Sequence, residues 1–171
     1  VEIITYSLLS RRAATSAGEP VDALVSVANP LTSEQEAMRL DLIPGMLEAI
    51  RWNLNRKTKD LKIFEIGNVY FKRDGKFGER KSLSVAVTGQ SFTSWAGGNR
   101  QADFFELKGI VEAMLAELGI YAAEFSRAKE SCFSAAECAR ISVAGEPIGV
   151  IGKVLAKVLR AFDIKDKVYL A

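Results

Sequence analysis

The chain has 171 residues, of which 49% are hydrophobic and 26% charged, and a net charge of +2. That length can bury a full core as one domain, and that composition excludes a disordered chain. The small net charge excludes a global pull onto nucleic acid or membrane, so any basic site has to be local.

The side-chain inventory narrows the chemistry further. Histidine is absent, which removes the commonest general base and every Ser-His or Cys-His nucleophile. Cys132 and Cys138 are the only cysteines, too few for a zinc site, and read as reduced thiols of a cytosolic protein. No apolar run approaches the ~18 residues of a membrane span, and the start lacks the basic-then-apolar pattern of a signal peptide. The expected location is the cytoplasm.

In chain order, Ile3 to Leu8 reads as a strand, Ser10 to Pro20 as a surface loop, and Leu24 to Val27 as a second strand stopped by Asn29-Pro30. Ser33 followed by Glu36 fits a capping box and a helical turn. Leu40, Ile43, Leu47, Ile50 and Leu54 make one apolar stripe at helical spacing, with Pro44 suited to its first turn. Leu61 to Phe71 is β-like, Asp74-Gly75 supplies a hairpin turn, and Leu83 to Gly89 returns with a period of two. Ser91 to Arg100 reads as a loop holding Trp95 and Gly97-Gly98. Asp103 then caps a helix carrying Phe104, Leu107, Val111, Leu115 and Leu118, closed by Gly119. Strands near Ala123–Phe125, Ala139–Val143 and Ile148–Ile151 follow, then a helix from about Leu155 to Phe162 and a last strand from Val168. Hairpin-joined strands with irregularly interspersed helices predict an α+β fold on a largely antiparallel sheet. Both ends lie inside strand-like segments, so the expectation is a single domain over 1–171 taken from a longer, multidomain chain.

Five motifs stand in order: "EIITYS", "NPL", "MRLDLIPGML", "FEIGNVYF" and "DFFELKGIVEAMLAELGI". Together with the closing "GEPIGVIGKVLAKVLRAFDIKDKVYLA" they resemble the catalytic-like module of the bacterial phenylalanyl-tRNA synthetase large (beta) subunit, over essentially the whole chain. The chain departs from that family near its end. The family reads Gly-x-Leu-His-Pro where this chain has Gly152-Lys153-Val154-Leu155-Ala156. A His-Pro-Gly-Arg-like segment is replaced by Phe133-Ser134-Ala135-Ala136. The resemblance implies a class II aminoacyl-tRNA synthetase-like fold and a structural, non-catalytic domain packed against the catalytic alpha subunit. It also implies a heterotetramer of two alpha and two beta subunits that joins phenylalanine to tRNA, with ATP and magnesium bound elsewhere in the enzyme and no cofactor here.

Catalysis by this domain itself would need the class II "IGxVFRxE" strand, whose arginine grips the ATP α-phosphate. Aligned without a gap, Phe71 stands at the arginine and Arg73 at the glutamate; a shift of one residue gives Lys72 and Asp74. No catalytic residue is therefore assigned. A weakly active ATP-binding ligase-like domain using Lys72 or Arg73 is one alternative. A basic RNA-binding module is another, with Arg51, Arg56, Lys57, Lys59 and Lys62 as possible tRNA-backbone contacts; a solvated helix end is the plainer reading of that cluster. Asp103, Glu106, Glu112 and Glu117 read as a helix cap and an exposed face rather than a metal site. Trp52 and Met46, flanking the first long helix's stripe, are either core or partner-facing.

Overall fold

Six strands form the main sheet of the computed structural model, which describes residues 1–73, 75–92 and 100–171. The strands are β4 (Leu61–Arg73), β5 (Lys76–Thr88), β8 (Ala123–Arg127), β9 (Phe133–Val143), β10 (Glu146–Val154) and β11 (Val168–Leu170). Their order is β4-β5-β11-β10-β9-β8, and every neighbouring pair is antiparallel. The last strand in sequence thus lies in the middle of the sheet, between β5 and β10. Shorter strands complete the set: β1 (Leu8–Leu9), β2 (Val25–Ser26) and β3 (Ala37–Met38) form a small sheet, and β6 (Gln90–Phe92) pairs with β7 (Arg100–Gln101).

Helices cover both faces of the main sheet. Alternation along the strands sends Ile63, Val69, Ala86, Val168 and Leu170 to one face. There they meet α1 (Arg11–Ala17), α2 (Ile43–Leu54) and α4 (Ala156–Ala161), through Ala13, Ala17, Met46, Leu47, Ile50, Val158 and Leu159. Val85, Val87, Ile141, Ile151 and Tyr169 point the other way, onto Leu107, Val111 and Leu115 of α3 (Phe104–Glu117). Full burial of Met46, Leu47 and Ile50 contributes about 1.5–3 kcal/mol each. Met46 is therefore core, while Trp52 on the same helix is 55% exposed.

Several expectations are corrected. The stretch expected as a loop from Ser10 to Pro20 contains α1. Its Ser10 side chain accepts from the Ala13 amide at 3.2 Å, and Gly18 ends it at φ 91°. Three small residues, Ala13, Ala14 and Ala17, let it sit flush on the core, so its apolar stripe carries little hydrophobic mass. The first expected strand, Ile3 to Leu8, is split. A single parallel bridge joins Glu2 to Phe64, Thr5 turns inward, and only Leu8–Leu9 forms a strand. Ser33–Gln35 does form a helical turn, but the capping box does not close, because the Glu36 carboxylate accepts the Arg11 amide instead at 2.9 Å. The β4–β5 hairpin is longer than expected, with 13 residues in each strand. β9 begins at Phe133 rather than Ala139 and bulges. Gly152 and Val154 of β10 pair with Cys138 and Phe133, so Ser134–Glu137 stand out of register. Asp74, Trp95 and Gly97-Gly98 lie outside the described residues.

Candidate functional site

A buried polar cluster joins residues from three of the sequence motifs. Arg39 precedes α2 and Glu65 sits in the middle of β4; both are buried, at 4% and 1% exposure. Arg39 Nη1 reaches Glu65 Oε1 at 2.7 Å and Thr5 Oγ1 at 2.8 Å, while its Nε donates to the Asn68 carbonyl at 2.8 Å. Thr5 donates its hydroxyl to Glu65 Oε2 at 2.7 Å and its amide to Oε1 at 3.2 Å. Burying two charges is tolerated only when the pair and its remaining donors and acceptors are satisfied. Gly67 and Gly45 make room: a Cβ on Gly67 would collide with the Arg39 guanidinium, and one on Gly45 would lie 2.5 Å from Thr5 Oγ1. Arg39, Glu65, Gly67 and Gly45 of "MRLDLIPGML" and "FEIGNVYF" thus build a structural knot. Only one signal for it exists in the sequence: a charged residue inside each of two apolar runs, Met38-Arg39-Leu40 and Phe64-Glu65-Ile66.

The expected ATP-gripping positions are not brought together. Residues directly opposite across an antiparallel pair share a face. Phe71 opposite Gly78 and Arg73 opposite Lys76 therefore lie on the same face as buried Val69, whereas Lys72 opposite Phe77 lies on the other. Lys72 sits 5.6 Å from the Phe77 ring centroid. Asp74 falls outside the described residues. A phenylalanine at the arginine position cannot hold a phosphate, and the next cation points away from Arg73. These residues do not fit the ATP-gripping arrangement.

The basic cluster is partly spent on internal contacts. Arg56 stacks on Trp52 with its guanidinium carbon 3.5 Å from the ring centroid, and Lys62 pairs with Glu106 at 2.7 Å. Arg51, Lys57 and Lys59 remain exposed around the C-terminal end of α2. The acidic residues near α3 are dispersed. Asp103 caps the helix by accepting the Glu106 amide at 2.8 Å, Glu112 pairs with Lys108, and Glu117 faces solvent. Among the described residues no cluster of three or more Asp, Glu or Cys could hold a metal ion.

Burial raises several proton affinities. Desolvation, then the charge of neighbouring Asp41, pushes the Glu19 carboxyl up to about 9. Asp41 is raised as well, by desolvation, while its carboxylate accepts the Ile43 amide at 2.8 Å at the start of α2. Desolvation also pushes the Cys132 thiol up to about 12 and raises Cys138, so neither is a ready nucleophile. Several hollows mark the surface of the described residues. One of about 660 Å³ lies between Ile4–Ser10 and α2, flanked by exposed Ile4, Tyr6 and Trp52. One of about 540 Å³ opens between β5 and β10 beside Ala171, and one of about 620 Å³ lies at the β9 bulge.

Comparison with known proteins agrees with this architecture. The family model for the phenylalanyl tRNA synthetase beta chain CLM domain matches residues 1–171. The phenylalanine–tRNA ligase beta subunit of Symbiobacterium thermophilum is 34% identical over 177 residues, covering 99% of this chain and 20% of that protein. That of Dehalococcoides mccartyi is also 34% identical, over 174 residues, covering 99% and 21%. The chain spans about a fifth of the length of these curated relatives. A solved pyrrolysyl tRNA synthetase from Desulfitobacterium hafniense superposes with a TM-score of 0.75 at 16% identity, over 99% of this chain and 58% of that one. At that identity the likeness is one of fold, and the fold is that of a class II tRNA synthetase. From its first residue to its last, this chain belongs to the phenylalanyl tRNA synthetase beta chain CLM domain family.

Proposed function

We propose that this chain is the non-catalytic core module of a phenylalanine–tRNA ligase beta subunit, working by positioning. It packs against the catalytic alpha subunit and holds that subunit's site relative to tRNA, within a cytoplasmic heterotetramer of two alpha and two beta subunits. ATP and magnesium act in the whole enzyme and bind elsewhere. The observation that carries the reading is the pairing of a full-length family match with a β4–β5 hairpin that has Phe71 where a phosphate-gripping arginine belongs. The exposed apolar side chains Ile4, Tyr6 and Trp52 beside a hollow of about 660 Å³ offer a surface that a protein partner could cover. Co-expression with the cognate alpha subunit, followed by light scattering, tests the reading. A stoichiometric complex is expected; two separate species in the same lysate would overturn it.

A further inference from the structure

We propose that the hollow between β5 and β10 is a slot for one more stretch of β-strand, filled in the full-length polypeptide by residues that continue β11 past Ala171. β11 has three residues and lies between two much longer strands. Past it, among the described residues, β5 from Ser84 to Lys76 pairs only with β4, and β10 from Ile151 to Glu146 only with β9. β11 holds β5 and β10 one strand apart, so they stand about 9.5 Å from each other where it stops. The hollow of about 540 Å³ opens at that point. A gap of that width takes a single extended chain and is too narrow for a helix.

The main chain of both walls is oriented to receive a strand. Val85 and Ala171 exchange both backbone hydrogen bonds, at 3.0 and 2.9 Å. Alternate residues of an antiparallel strand turn their N–H and C=O to the same side, so Leu83 and Lys81 present theirs to the slot. Leu170 stands opposite Gly152 on the other wall, which makes Val150 the next residue of β10 to face inward. A continuing strand bonds to Val150 through its first residue and to Leu83 through its second. Its side chains alternate too. The first points to the side of Asp41 and Leu42, and the second to the apolar side of Met114, Leu115, Leu118 and Ile141. The second residue is accordingly large and apolar.

Continuation of β11 is favoured over a strand from another protein. Val168–Leu170 already fix its register and direction, and no association entropy is lost. This chain spans about a fifth of its curated relatives, so a longer subunit has polypeptide outside the module to supply the strand. The inference goes beyond the assembly role, because it fixes where the chain leaves the module, clamped between α3 and the start of α2.

The test compares backbone amide hydrogen exchange in the 171-residue chain, in the same chain extended by Thr-Leu-Thr-Val, and in the full-length subunit. The Leu83 and Val150 amides exchange freely in the 171-residue chain. The extension slows both by about tenfold or more and raises the thermal midpoint. An extension of Thr-Pro-Thr-Val, which lacks the N–H that faces Leu83, does neither. In the full-length subunit both amides are protected. Slow exchange in the unextended chain, no protection by Thr-Leu-Thr-Val, equal protection by the proline version, or free exchange in the full-length subunit would overturn the proposal.

Discussion

At the scale of single residues, Glu19 carries a proton that water would remove. Its carboxyl is 8% exposed beside Asp41, and burial raises its proton affinity to about 9 from an ordinary 4.5. The folded state therefore binds a proton that the unfolded chain releases above pH 4.5. That contribution to stability is present at low pH and is lost as pH rises toward 9. Glu19→Gln, which stays neutral, should raise the Tm at pH 8, and the gain should shrink as the pH falls toward 5. In a domain of this size each kcal/mol corresponds to about 2–4 °C of Tm. A gain that is constant between pH 5 and 8 would contradict the assignment. Nothing in the sequence pairs Glu19 with Asp41. Each reads as an ordinary loop acid, and only the turn of α1 against the start of α2 brings them together.

At the scale of elements, the sequence reading succeeds where apolar mass is periodic and fails where small residues pack. The Leu40–Leu54 stripe identifies α2, and Asp103 with Gly119 brackets α3, because large apolar side chains repeat there at helical spacing. α1 escapes because Ala13, Ala14 and Ala17 look like the small residues of a loop. Its definition therefore rests on its cap. Ser10→Ala should cost about 1 kcal/mol in urea unfolding, while Ser10→Asp, which also caps, should stay near the parent value. The extra length of the hairpin escapes for another reason. Residues Phe71 to Lys81 are polar and aromatic on both faces, with no alternation to mark a strand beyond the core. The motif residues were legible as a family resemblance, but their physical role was not, since Arg39 and Glu65 are 26 positions apart and meet only in three dimensions.

At the scale of the whole molecule, the Arg39–Glu65–Thr5 knot ties the N-terminal segment and the approach to α2 onto β4. Removing one charge leaves its partner buried and unpaired. Glu65→Leu should thus destabilise the domain by about 3–5 kcal/mol, and Arg39→Met added to it should recover most of that loss. Urea unfolding of the two single variants and the double variant decides the matter; additive losses would mean the residues do not act as a pair. The antiparallel α+β class was legible because each hairpin leaves a local trace. The order of the strands was not. The two neighbours of β11, β5 and β10, lie far from each other along the chain, and no local pattern records that a three-residue strand parts them.

That placement sets a timetable for synthesis. Val168–Leu170 bridges the β4–β5 hairpin to the β8–β9–β10 meander, so the sheet has two separate halves until these residues leave the ribosome. Each half carries an uncovered strand edge during that interval, β5 on one and β10 on the other. A nascent chain stalled before Val168 should be held by chaperones and cut readily by protease, and release of a few more residues should close both edges at once.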